Sequence, residues 1–217
     1  MALMEIVDSI SARQKPDRVQ GSHRVNGRSV DALALHRFNA RLSGLLLETI
    51  GGFEIVLRNA VVTSIMNHFD RPDWYRARSF TQRLDARRRT NIREACRVLE
   101  NRHRPPNSDR IVAELTFNFW VALPNGKYRE TFWIPFLRTV WPAGEDVRKL
   151  HKDLLRIRDL RNRIAHHEPV FASGWRESSD LALHRLEQLS PHHHAWLSGR
   201  VSMEMADVSA NIASVVQ

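Results

Sequence analysis

Cysteine is almost absent from this chain of 217 residues: Cys96 stands alone. A single thiol excludes an intramolecular disulfide framework and any cysteine-based zinc module. Glycine and proline are scarce, nine of each, so helices have few places where they must stop. No run approaches the roughly 18 uncharged apolar residues that a membrane helix needs. GxGxxG, a Walker-type glycine loop and HExxH are all missing, which removes the common dinucleotide, P-loop and zinc-protease classes. The opening stretch MALMEIVDSISARQ is amphipathic and carries Glu5 and Asp8, so it does not read as a secretory signal. The expectation is a cytoplasmic protein with no membrane segment, no metal and no cofactor. Lysine is scarce too: Lys15, Lys127, Lys149 and Lys152 are the only four. The other basic residues among the 33 are arginines, against 24 acidic residues, for a formal net charge of +9. Arginine offers a planar fork that grips phosphate or carboxylate at two points. A compositional bias toward arginine is the plainer explanation of the same count.

What is present reads as soluble and globular, with 42% hydrophobic and 26% charged residues, and enough length for one sizeable domain. Breaks cluster at 15–29, 102–108, 123–127, 141–144 and around Gly174. Between them the apolar period is helical. Leu35, Phe38, Leu42, Leu45, Thr49, Phe53, Val56, Ala60 and Ser64 keep phase through Gly51–Gly52, which predicts one long helix, or two nearly collinear ones, from about Val30 to Phe69. The two glycines mark a bend or a close helix crossing. Further helices are predicted at 82–102, 109–122, 129–139, 144–167, 179–196 and 200–215, with Asp109 and Ser178 as caps. A hairpin around Asn125–Gly126 is the alternative for the middle of the chain; the helical face of Ile111, Leu115, Asn118 and Trp120–Val121 favours helix–turn–helix. The predicted architecture is an all-α bundle, with an N-terminal helix and polar loop over 1–29 and a helical domain over 30–217. The long helix packs on the helix that carries the chemistry described next.

That segment is 144–168, GEDVRKLHKDLLRIRDLRNRIAHHE. A helical wheel places Val147, Leu150, Leu154, Ile157, Ile164 and Ala165 on one arc, with Arg161 inside it. An unpaired guanidinium in an apolar seam is costly, so Arg161 must meet a carboxylate, a carbonyl or water; Glu54 on the long helix is the candidate. Asn162 and His166, four apart, share a face, with His151 and Arg158 on the same flank. A histidine can take a proton from a ribose 2′-hydroxyl or give one to a leaving 5′-oxygen near neutral pH. An arginine can hold the scissile phosphate, and an asparagine can orient either group. These are the parts for metal-independent RNA cleavage leaving a 2′,3′-cyclic phosphate. One histidine is half of an acid–base pair, so the reading asks for a homodimer. On the structural reading Arg161 is a salt-bridge anchor, Asn162 a solvated residue and His166 a cation favoured by the helix dipole.

The string 161–171, Arg-Asn-Arg-Ile-Ala-His-His-Glu-Pro-Val-Phe, resembles the signature of the Abi-like proteins of bacterial abortive infection, the AbiD/AbiF-type group, usually placed in the HEPN superfamily of helical RNases. Residues 53–60 (FEIVLRNA) and 115–120 (LTFNFW) are similar to the same family. The resemblance spans about Leu35 to Phe171. It implies an all-α, HEPN-like homodimer acting on RNA, in phage defence, with a possible antitoxin or phage protein as partner. It carries over Arg161 as the catalytic arginine, Asn162 as the polar residue and His166 as the histidine, with His167 as the alternative. A non-enzymatic RNA-binding or protein-interaction module that senses a phage component is the competing function.

Glu54 and Arg58 form an i, i+4 pair, either support for Arg161 or an ordinary intrahelical pair. Arg87, Arg88 and Arg89, with Arg83, Arg93 and Arg97, make a basic face for RNA, together with Arg158, or a solvated surface. His192–His194 reads as a solvated tract rather than a metal site, the six tryptophans as core anchors, and Cys96 as packed rather than reactive.

Overall fold

The structure, a computed structural model, describes residues 22–25, 28–170 and 173–201. The helix expected within 1–29 lies outside these residues, as does all but the start of the one expected at 200–215. The architecture is all-α, preceded by one short hairpin: strands β1 (Ser22–Val25) and β2 (Arg28–Asp31) pair antiparallel, with Val25 opposite Arg28. Within the loop expected at 15–29 this corrects residues 22–25 and 28–29; the rest of that span lies outside the described residues. The Asn125–Gly126 dipeptide in the middle of the chain makes no hairpin. There Asn125 Oδ1 accepts from Lys127 N at 2.9 Å and caps a single 3₁₀ turn, Gly126–Tyr128.

Helix α1 (Ala32–Phe69) runs unbroken through the paired glycines. Its buried face is Phe38, Leu42, Leu45, Leu46, Thr49, Ile50 and Phe53, then Leu57, Val61 and Ile65. The predicted stripe holds from Phe38 to Phe53, whereas Leu35, Val56, Ala60 and Ser64 are only half-buried. The helices that follow are α2 (Arg78–Thr81), α3 (Ala86–Asn101), α4 (Ser108–Glu114), α5 (Phe117–Ala122), α6 (Val147–Ala165), α7 (Trp175–Leu189) and α8 over 191–201.

Contacts gather the described chain into two units. One holds α1 as far as Gly52, α6 from Asp159, α7 as far as Glu187, and the residues from Pro191 on. The other holds Phe53–Arg158 with Gln188–Ser190. In the first, Gly52 meets Leu197 of α8: a Cβ built there would lie 3.2 Å from Leu197 Cδ2, so this glycine serves a close helix crossing. Arg200 pairs with Glu48 at 3.2 Å. The second unit is built on aromatics. Trp74, Phe80, Trp120 and Phe132 are fully buried, with ring centroids 5.3 Å apart for Trp74–Phe80 and 5.5 Å for Phe80–Phe132. The Trp74 indole N–H donates to Ser108 Oγ at 2.9 Å. Trp133, Trp141 and Trp175 are buried as core anchors, whereas Trp196 is 62% exposed.

Several element boundaries differ from expectation. The helix expected at 109–122 is two, α4 and α5, because Leu115 and Thr116 turn extended (ψ 129° and 156°), and its cap is Asn107 rather than Asp109. Residues 129–139 form a π-type turn, Arg129–Trp133, and a 3₁₀ turn, Leu137–Val140, with Pro135 between. Helix α7 begins at Trp175, so Ser178 is interior; its hydroxyl donates to Gly174 O at 3.2 Å. The helix expected through 179–196 breaks before Pro191, which lacks the N–H to continue α7 and opens α8 instead.

Candidate active site

Helix α6 buries Val147, Leu150, Asp153, Leu154, Ile157, Leu160 and Ile164. Arg161 is half-buried at the edge of that seam, and Leu160 takes the central place; Ala165, placed in the seam by the wheel, is exposed. Asn162 and His166 are both exposed, one turn apart, and the His166 N–H donates to the Asn162 carbonyl at 3.0 Å.

The end of α6 is locked rather than frayed. His167 takes φ +55°, the left-handed conformation that ends a helix. Its N–H donates to Ile164 O at 3.0 Å, and that of Glu168 donates to Arg163 O at 3.0 Å, the paired bonds of a Schellman motif. Arg163 Nε lies 3.7 Å from Glu168 Oε2 across the turn. Beyond Pro169, the Val170 N–H donates to Asn39 Oδ1 at 2.8 Å while Asn39 Nδ2 donates to Glu168 O at 3.3 Å. Val170 is fully buried, and its carbonyl accepts from Ser173 Oγ at 2.7 Å. Arg161, Asn162, His166 and His167 thus sit together on one fixed stretch of backbone, with both imidazoles in solvent.

The other expected site residues belong to the second unit. Glu54 and Arg58 are half-buried on α1; Glu54 and Arg161 are each engaged in polar interactions. His151, also expected in support, is a half-buried ring bonded at both nitrogens. Asn125 Oδ1 is taken by Lys127 N, so Asn125 Nδ2 is the atom that donates to His151 Nε2, at 2.9 Å. Nδ1–H therefore donates to Val121 O at 3.1 Å. Both ring nitrogens are committed in the neutral form. Burial, then the nearby Arg158, Arg88 and Lys127, push its pKa below the ordinary value. About four turns of α6 separate it from His166. Arg158 Nη1 donates to Asn118 Oδ1 at 3.2 Å.

Of the arginine triplet, Arg87 is exposed, Arg88 pairs with Asp85 at 3.1 Å, and Arg89 donates to Leu84 O. Arg83 donates to Thr131 O at 3.1 Å, Arg93 to Thr90 Oγ1 at 2.9 Å, and Arg97 lies 3.6 Å from Glu94. Asp85 caps α3 and also receives Lys127 Nζ. Burial would raise its carboxyl, but the Lys127 and Arg88 hydrogen bonds hold it well below the usual carboxylate range. Cys96 is half-buried, and burial pushes its thiol up.

With this geometry described, comparison with known families is decisive: a family model described as Abi-like protein matches residues 13–172. The chain belongs to the Abi-like family. Membership supports a role in abortive-infection phage defence. Curated proteins and solved structures give no significant match. Every candidate site residue of this Abi-like protein falls inside the matched span, whereas α7, α8 and the His192–His194 tract fall beyond it. Among the described residues no helix is long and apolar enough to cross a membrane, and no group of three His, Cys, Asp or Glu side chains is placed to hold a metal ion.

Asn39 and Asp85 escaped the reading of the sequence, and Asn118 and Asn125 entered it only as helix-face and turn residues. One signal was there for Asn39: asparagine is a poor helix former, yet it stands inside a strongly periodic helix. Buried Asp153 and Arg185 gave no comparable signal.

Proposed function

We propose that this Abi-like protein is an abortive-infection effector that cleaves RNA by internal transesterification without a metal, in the manner of HEPN-type ribonucleases. His166 is the acid–base group, Arg161 holds the scissile phosphate and Asn162 orients, with Glu54 in a supporting role. His167 is the neighbouring alternative to His166. The 2′-oxygen attacks phosphorus, and its proton passes to one imidazole. The P–O5′ bond breaks, and a second imidazole gives a proton to the leaving oxygen. Each chain supplies one such histidine, so the active species is a homodimer. Arg87, Arg88, Arg89 and Arg158 serve the RNA backbone.

The observation that carries this reading is the end of α6. An exposed imidazole, an exposed amide one turn earlier and a half-buried guanidinium are presented on backbone fixed by a Schellman motif. Fixed placement of reacting groups is what such catalysis demands. The test sets purified protein against total RNA and tRNA, parent beside His166→Ala and His167→Ala. Cyclic-phosphate ends from the parent, their loss by about 100-fold or more in the His166 variant, and indifference to EDTA are expected. A folded His166→Ala protein that cleaves like the parent overturns the assignment. No cleavage of any RNA, with Arg161→Ala unfolding the chain, favours the interaction-module reading.

A further inference from the structure

We propose that Asn39 is a positioning residue for the imidazoles of the motif, pinning from α1 the turn that carries His166 and His167. The proposal rests on the reading of His166 as the acid–base group. Its starting point is the double hydrogen bond already described: Val170 N–H to Asn39 Oδ1 at 2.8 Å, and Asn39 Nδ2 to Glu168 O at 3.3 Å. In an extended segment the carbonyl of one residue and the N–H two positions later point the same way. A primary amide matches that pair as a neighbouring strand would. Pro169 between them has no N–H, so Val170 offers the first donor beyond Glu168. Asparagine alone has both the length and the two atom types. Aspartate keeps the acceptor and sets a carboxylate oxygen against the Glu168 carbonyl; alanine offers neither partner.

The backbone conformation of His167 shows why the clamp matters. A non-glycine residue at φ +55° is strained and persists where its surroundings over-determine it. The Schellman bonds hold the turn from the helix side. Asn39 and the buried Val170 side chain hold it from the other. With the clamp gone, His167 is free to relax to negative φ. The Schellman bonds then open, and His166, the residue before it, moves. A shift of about 1 Å in a reacting group costs on the order of 100-fold in rate.

The experiment compares the parent full chain with Asn39→Ala and Asn39→Asp, by RNA cleavage and by NMR of the histidine rings and the Val170 amide. The parent is expected to show a protected Val170 amide. Asn39→Ala is expected to lose that protection, shift the His166 and His167 ring signals, and lower kcat by about tenfold or more with KM within about twofold. Asn39→Asp, which keeps the bond to Val170, is expected to fall between, and it carries the test should the alanine variant fail to fold. A folded variant with parental kcat and unmoved ring signals overturns the proposal, as does an unprotected Val170 amide in the parent. Should the parent cleave no RNA, the nuclease reading falls by itself. The clamp is then judged on the ring signals alone: movement upholds it, constancy rejects it.

Discussion

Protonating His151 requires Nε2 to donate where Asn125 already donates, and it adds a cation beside Arg158, Arg88 and Lys127. The folded state therefore favours the neutral ring. His68 is shifted the same way, by burial and then by Arg83, while its ring stacks on Phe136 at 4.6 Å. For both, the folded pKa lies below the ordinary value of 6.5, so the unfolded chain takes up the proton first. Their contribution to stability is whole above that value and is lost as the pH falls from it toward the folded pKa. The expected outcome is a melting temperature that declines between about pH 7.5 and 5, with a shallower decline in His151→Gln. Glutamine can donate to Val121 O and accept from Asn125, so it keeps the bonds without the titration. An equal decline in parent and variant removes His151 as the cause. A helical wheel grouped His151 with Asn162 and His166. It carries no information on which partners a ring meets, and these separate a titrating histidine from a neutral strut.

Three helices end on left-handed residues that are not glycine: Asp70 after α1, His103 after α3 and His167 after α6, at φ 50°, 55° and 55°. Each shows the long bond of a Schellman end: Arg71 N to Met66 O at 3.3 Å, Arg104 N to Leu99 O at 2.9 Å and Glu168 N to Arg163 O at 3.0 Å. In a glycine-poor chain these stops are invisible to a search for Gly, which explains why the helix predicted at 144–167 runs two residues past the end of α6. They also predict a gain. His103 is exposed and remote in sequence from the motif, and His103→Gly relieves the side-chain clash of the left-handed conformation. The expected stabilisation is about 0.5–1 kcal/mol after the added unfolded-state entropy, read as a higher urea midpoint at constant m. No gain, or a loss, means the His103 ring makes a contact worth more than its strain. Periodicity made α1 and α6 legible because each has one dry and one wet face. It failed at α5, where Phe117, Phe119, Trp120, Val121 and Ala122 are all buried and no stripe exists to mark the break at Leu115–Thr116.

At the scale of the molecule, family and helical class were readable because the 161–171 string and the long periodic helices are local in sequence. Division into two units was not, since α1 and α6 each contribute to both and keep an uninterrupted helical pattern across the boundary. The charge is a similar case. A formal net charge of +9 treats every arginine alike, whereas the structure gives Arg83, Arg88, Arg89, Arg93 and Arg97 partners within the protein. Arg88 holds the cap of α3 through Asp85, and Arg87 beside it is exposed. On the RNA-binding reading these neighbours respond differently to the same substitution. Each phosphate neutralised on a single strand contributes about 0.7 to the slope of log affinity against log salt. Arg87→Ala is expected to reduce that slope by about this amount for single-stranded RNA and to leave the melting temperature unchanged. Arg88→Ala is expected to lower the melting temperature, because Asp85 loses one of the cations that offset its burial and keeps only Lys127. A slope that ignores position 87 while binding remains salt-sensitive moves the RNA to another face of the protein.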